Sequence, residues 1–426
     1  ALAYELFPYE GEAAAAAAAA GGEWAAESKG DAKRKYRHLV AALNAQLRTV
    51  EVAMSARDWE GVDPSCVPSR AMYIYRNALR NMTKEGAPRS EEPARAELAA
   101  RVEALAEATR KDPTAKKGLK GAQLFPYEIV RNYLGYNSAE DAVLEAQWAV
   151  QENALRELSA SRGGLPPGVC LCDVSGSMSG VPMENSIALG LLLSKHLPEP
   201  WAGRVLTFES TPQWHALPRG EGVSVRELVR NLAGAPWGGS TDFGAALDLI
   251  LDTAVEHNVP AADMPQVLYV FTDMQFDQAH MGPRDRGLGG FDTAAKRLAR
   301  KYELAGYEAP HVLFWNLRAN TTAFAAEADT PHASLLSGFS PALFKAFMAG
   351  PEELKKFREA TPYEVLRKLL DDERYDPVRA LVRRLKGSGS AEGAEPDIAE
   401  DGAAGAAGAA APPEAAAEAE EGWEKL

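Results

Sequence analysis

The chain lacks the features that mark several large protein classes. Its three cysteines, Cys66, Cys170 and Cys172, are odd in number and their spacings suit no metal cage. Cys170 and Cys172 stand two apart on a predicted strand, so both point to one face. They read as small buried residues of a reducing compartment. No apolar run approaches the ~18 residues of a membrane span, and the longest, residues 187–193, fits a buried helix. No secretory signal opens the chain. The phosphate loop Gly-x-x-x-x-Gly-Lys-Ser/Thr, the zinc motif His-Glu-x-x-His and the nucleophile elbow Gly-x-Ser-x-Gly are all missing. These absences argue against an enzyme and against a membrane protein. They place the chain in the cytoplasm, with the nucleus as the alternative.

What is present is unevenly laid out. The 426 residues suit two domains plus tails, and a start at Ala1 instead of methionine reads as a piece of a longer chain. The formal charge of −14 gathers at the end, where residues 387–426 hold ten acidic residues and one lysine. Residues 29–120 run the other way, with nineteen Lys plus Arg against twelve Asp plus Glu. That basic balance invites a nucleic-acid reading, for which a solvated helical surface is the plainer explanation.

Residues 1–30 are a low-complexity N-terminal segment built around a run of alanine. Residues 31–162 read as all-helical. Tyr36, Leu39, Val40, Leu43, Leu47 and Val50 recur at helical steps and predict one amphipathic helix. Further helices are predicted over 70–81, over 91–111 with Ser90 as the cap, and over 126–134 and 139–159. The sequence Leu6-Phe7-Pro8-Tyr9-Glu10 recurs as Leu124-Phe125-Pro126-Tyr127-Glu128, each copy suiting a helix start. The Gly- and Pro-rich stretch 163–168 marks a boundary. From 168 to 350, short apolar strands alternate with helices, and a hairpin partner is expected at 213–216. Continuous apolar strands between helices imply a doubly wound, mostly parallel α/β sheet covered on both faces. Residues 351–386 are C-terminal helices, and 387–426 a disordered acidic tail rich in alanine and glycine.

The chemistry gathers where apolar strands end. Asp173-Val174-Ser175-Gly176-Ser177 follows the first strand, and open α/β sheets bind ligands beyond the carboxyl ends of their strands. One carboxylate and two hydroxyls at i, i+2 and i+4 can converge on a point, and Gly176 permits the tight turn. Thr241, within Gly238-Gly239-Ser240-Thr241-Asp242, adds a hydroxyl ahead of a helix. Asp273, within Phe271-Thr272-Asp273, closes another apolar strand. Two carboxylates and three hydroxyls are hard oxygen donors, which favours Mg²⁺, with Mn²⁺ as the alternative. Met178, Phe243 and Met274 flank these loops as a candidate apolar rim for a partner.

This arrangement resembles the metal-ion-dependent adhesion site of von Willebrand factor A domains. The resemblance implies that Ser175, Ser177 and Thr241 bind the ion directly. It implies that Asp173 and Asp273 hold it directly or through water. An exposed Asp or Glu of a partner protein would complete the shell. Beyond the site, the stretches 50–55, 67–69, 124–131, 172–180, 200–201, 276–279 and 312–318 are similar to a plant-type domain-of-unknown-function family. That family joins a helical, TROVE-like region to a C-terminal von Willebrand factor A domain, a plan similar to the Ro ribonucleoproteins. Carried over, the plan implies a non-enzymatic, metal-dependent interaction protein. Its alternative is an RNA-binding ribonucleoprotein component that holds a small RNA through Lys33, Arg34, Lys35, Arg37, Lys116, Lys117 and Lys120.

Overall fold

The computed structural model describes residues 29–135, 138–161, 168–173, 176–195, 199, 201–207, 211–220, 222–235, 243–273, 299–318 and 333–338, together with 367, 375, 376, 378–380 and 383. The chain divides into two units, 1–360 and 361–426. The first begins with six helices among the described residues: α1 (Lys29–Leu47), α2 (Val50–Ala56), α3 (Ser69–Leu79), α4 (Pro93–Lys111), α5 (Pro126–Leu134) and α6 (Ala142–Ser161). Then come β1 (Gly168–Cys172), a 3₁₀ turn (Gly176–Met178), α7 (Val181–Ser194), β2 (Arg204–Thr207), β3 (Trp214–Ala216), α8 (Val225–Ala233) and α9 (Phe243–Glu256). The last strands are β4 (Val267–Thr272), β5 (His311–Asn316) and β6 (Ala333–Ser337).

The six described strands form one sheet in the order β3-β2-β1-β4-β5-β6. Strand β3 is antiparallel to β2, and every other pairing is parallel. The doubly wound, mostly parallel sheet preceded by helices is therefore the observed architecture. Its strand order reverses between β1 and β4, the switch point where such sheets open a crevice.

Two-residue alternation sorts the strands' side chains. Cys170, Cys172, Tyr269, Phe271, Leu313 and Trp315 face one core, while Val169, Leu171, Leu268, Val270, Val312 and Phe314 face the other. Helix α9 covers the second face with Ala246, Leu247, Ile250 and Ala254. Helices α7 and α8 cover the first, and Ile129, Val130, Tyr133, Leu144 and Trp148 of α5 and α6 join the same core. Helix α7 thus has strands on one side and helices on the other, which is why residues 187–193 are apolar all round and buried. Helix α6 carries a second stripe, Val143 and Ala146, into a separate helical core with Val62, Met72, Leu79, Leu98 and Val102. Burying one such large side chain stabilises the fold by roughly 1.5–3 kcal/mol. A polar tie reinforces the junction, because the buried Glu145 of α6 accepts from the Val225 amide at the start of α8 at 2.7 Å.

The structure departs from the pattern in two helices. The stripe over 36–50 is not one helix, because Arg48 adopts left-handed backbone (φ 50°) and the chain turns there. Val50 then starts α2 and is buried, whereas Leu43 and Leu47 on α1 are 47% and 73% exposed. Helix α4 begins at Pro93, since proline suits the first helical turn, where its missing N–H costs nothing. The Ser90 hydroxyl instead accepts from the Glu92 amide at 3.1 Å. The alanine run, the first Leu-Phe-Pro-Tyr-Glu copy and the acidic tail lie outside the described residues. In the second unit Arg379 pairs with Asp376 on a short helical stretch. Among the described residues no helix is long and apolar enough to cross a membrane.

Candidate functional site

Strands β1 and β4 run side by side with Cys172 level with Phe271. Both apolar runs end at this level, the first into Asp173 and the second into Thr272 and Asp273. The Asp173 amide donates to the Phe271 carbonyl at 2.9 Å. The Thr272 hydroxyl donates to Asp173 Oδ2, also at 2.9 Å. Neighbouring strands lie ~4.8 Å apart, so the pairing carries both carboxylates to one edge of the sheet. They are deeply buried there, Asp173 at 2% and Asp273 at 0% exposure.

Ser177 reaches the same edge on the 3₁₀ turn after β1. Its carbonyl accepts from Arg318 Nη1 at 2.7 Å, and that nitrogen also donates to Asp273 Oδ2 at 3.2 Å. The Ser177 carbonyl and the Asp273 carboxylate are therefore no farther apart than those two bonds laid end to end. The turn after β5 sets Arg318 in place. Its amide donates to Asn316 Oδ1 at 2.9 Å, and the Leu317 amide donates to the Thr272 carbonyl at 3.0 Å. An Asn side chain bonded two residues on is a common turn former.

Three of the five expected ligands, Asp173, Ser177 and Asp273, thus come to one place. Ser175 and Thr241 lie outside the described residues, as does Met274. Phe243 opens α9, but its side chain lies outside the described part. Met178 requires a correction. It is fully buried in the core shared with α7 and β1, so it packs beneath the turn and offers a partner no rim surface. Burial of a large apolar side chain outweighs its exposure on so short a turn. Among the described residues no cluster of three or more His, Cys, Asp or Glu side chains forms. This edge brings two carboxylates, Asp173 and Asp273, beside a hydroxyl residue, and such hard oxygens fit Mg²⁺ or Mn²⁺. A wholly buried carboxylate is costly unless it is paired and hydrogen-bonded, and Arg318 pairs with Asp273 at 3.2 Å.

Cys172 stands one residue before Asp173 and is fully buried. Burial, against a weak bond to the Ser186 carbonyl and with the Asp173 charge beside it, pushes its thiol up to about 12. It stays protonated and packs as an apolar residue.

Sequence reasoning alone does not single out Thr272, Asn316 or Arg318. A signal for them exists, because three apolar runs break into polar residues at one sheet edge: Cys172-Asp173, Thr272-Asp273 and Asn316-Leu317-Arg318. The basic candidates lie elsewhere. Lys33, Arg34, Lys35 and Arg37 are exposed on α1, with Arg34 paired to Asp31 at 2.7 Å. Lys116, Lys117 and Lys120 are exposed between α4 and α5, where Lys120 Nζ donates to the Cys66 carbonyl at 3.3 Å.

Comparison with known proteins gives three findings. A family model described as a domain of unknown function (DUF7788) matches residues 168–383. The uncharacterized protein L728 of Acanthamoeba polyphaga mimivirus is 33% identical over 320 residues, covering 75% of this chain and 52% of that protein. The chain thus spans about half the length of this curated relative. Among solved structures, the Ro (RSR) protein of Deinococcus radiodurans aligns at 15% identity and a TM-score of 0.33, over 66% of this chain and 59% of that one.

Proposed function

Because the chain belongs to the DUF7788 family, whose description states no activity, we propose its function from the site itself: a von Willebrand factor A-type module that captures an acidic group of a partner protein through a divalent cation. Asp173, Ser175, Ser177, Thr241 and Asp273 are the residues that would hold Mg²⁺, or Mn²⁺ in its place. When bound, such an ion offers an electrophilic position to an oxygen ligand. Asp173 and Asp273 balance the ion's two charges and the hydroxyl donors add none, so a position left to water would exchange for a carboxylate oxygen of the partner. The protein binds and does not catalyse.

The observation that carries this reading is the meeting of two buried carboxylates and the Ser177 turn at the sheet's switch point. The Thr272 hydroxyl supports it by orienting Asp173 from the neighbouring strand. Ligating carboxylates are commonly held by such outer bonds.

The test is affinity capture from cell extract with the full chain, run in Mg²⁺, in chelator, and with ribonuclease, beside Asp173→Ala. Capture should persist through ribonuclease and be lost both in chelator and in the variant, whose melt stays cooperative. Capture that ignores the chelator would overturn the reading. A second reading, RNA binding by the helical region, is favoured by the exposed Lys116, Lys117 and Lys120. It predicts the opposite response, with capture insensitive to chelator and abolished by ribonuclease.

A further inference from the structure

Arg318 is the unexpected member of the site. Asp273 is wholly buried, yet the cation beside it is the chain's own guanidinium. One nitrogen, Nη1, serves both the Asp273 carboxylate and the Ser177 carbonyl, so it ties the end of β4 to the turn after β1. Both of those residues belong to the ligand set proposed above. We infer that Arg318 is the site's resident counter-cation and sets its affinity for a divalent ion, holding Asp273 until the ion takes that role. The inference rests on the metal-site reading and adds a competitor to it.

Three observations carry it. First, an uncompensated carboxylate at this depth is costly, and Arg318, on the turn after β5, supplies a positive charge to it. Second, a guanidinium and a divalent ion sharing one carboxylate repel each other, strongly so where water is excluded. The two cations therefore oppose each other at Asp273. Third, the Arg318 side chain is 42% exposed, whereas Asp273 is not exposed at all. The guanidinium has a route into solvent and can be hydrated there, while the carboxylate has none. Asn316 Oδ1 and the Thr272 carbonyl hold the backbone at 317–318, so the turn beneath Arg318 does not depend on its guanidinium.

The experiment uses the full-length chain and its Arg318→Ala and Arg318→Gln variants. Each is titrated with Mg²⁺ and with Mn²⁺ by isothermal calorimetry and melted in chelator and in saturating metal. Removing the competitor should tighten metal binding on the order of tenfold or more. It should also lower the melting temperature in chelator, where Asp273 loses this ion pair, and widen the gap between the chelator and metal melts. Arg318→Gln keeps a shorter stem and a donor without the charge, and should tighten binding as Arg318→Ala does. A variant that folds only when metal is added gives the same answer in its strongest form. Equal or weaker affinity in both variants would overturn the inference and leave the metal site standing. No binding and no melt response in any of the three chains would overturn both. Binding by the variants alone would support the role of Arg318 and remove the metal reading for the unaltered protein.

Discussion

At the scale of single residues, the site depends on bonds that no short motif records. Thr272 is an unremarkable strand residue by type, yet its hydroxyl is bonded to Asp173 in a nearly water-free setting. Thr272→Val keeps the shape and removes the donor. A buried acceptor deprived of one partner costs about 1–3 kcal/mol, so chemical denaturation should show a loss of that size. Metal affinity, read by calorimetry, should fall roughly 10- to 100-fold, as it does when an outer partner of a ligand is removed. A variant as stable as the parent would show that the bond contributes nothing. Asp173, Ser177 and Asp273 are legible in the sequence because carboxylates and hydroxyls at strand ends are chemically conspicuous. Arg318 is not, because a lone arginine after a strand looks the same whether it faces solvent or a buried carboxylate.

At the scale of elements, the helices and the sheet are joined through α6. Glu145 lies on it and accepts from the Val225 and Arg226 amides at the N-terminus of α8, at 2.7 and 3.3 Å. Those amides have no partner within their own helix, so the bond satisfies a helix end from eighty residues away. Burial raises the Glu145 carboxyl above the usual glutamate range, against the pull of the Val225 amide. The folded protein therefore holds this proton more tightly than the unfolded chain. The stability this adds is complete below the usual glutamate range and is lost as pH rises through the elevated value. Glu145→Gln has no proton to bind. Melts of both proteins from about pH 7 down to about pH 4.5 should thus shift in favour of the unaltered chain as pH falls. A constant difference would mean that Glu145 titrates as it does in the unfolded state. Elements differ in how plainly they announce themselves. Strand β5 and helix α9 follow from pattern, because a strand buried on both faces is a short unbroken apolar run and a two-sided helix imposes a periodicity. The break at Arg48 does not, because one residue in left-handed backbone leaves the apolar spacing of 36–50 intact.

For the whole molecule, charge that looks free in the sequence is partly used inside the fold. Arg70, Arg76, Arg80 and Arg110 belong to the basic stretch 29–120, but they pair with Glu128, Asp141 and Glu140 beyond it, at 2.5 to 3.3 Å. The surplus left for a polyanion is smaller than the count suggests and rests mainly on exposed lysines. If RNA is held there, replacing Lys116, Lys117 and Lys120 by alanine should flatten the dependence of log affinity on log salt. The slope should fall by about 0.7 for each phosphate no longer neutralised. Electrophoretic shift titrations across a salt series read that slope. No RNA retained at low salt would end the nucleic-acid reading.

The amino-acid order alone determined the alternation of apolar strands and helices, the layered α/β plan and the conspicuous oxygen donors, because period, strand length and residue chemistry are local properties. Only the tertiary structure decided that Met178 turns inward, that four arginines spend their charge on distant acids, and that Arg318 stands against Asp273. Those outcomes depend on which side chains the sheet order brings together across large separations, where desolvation and pairing compete and no local pattern carries the answer.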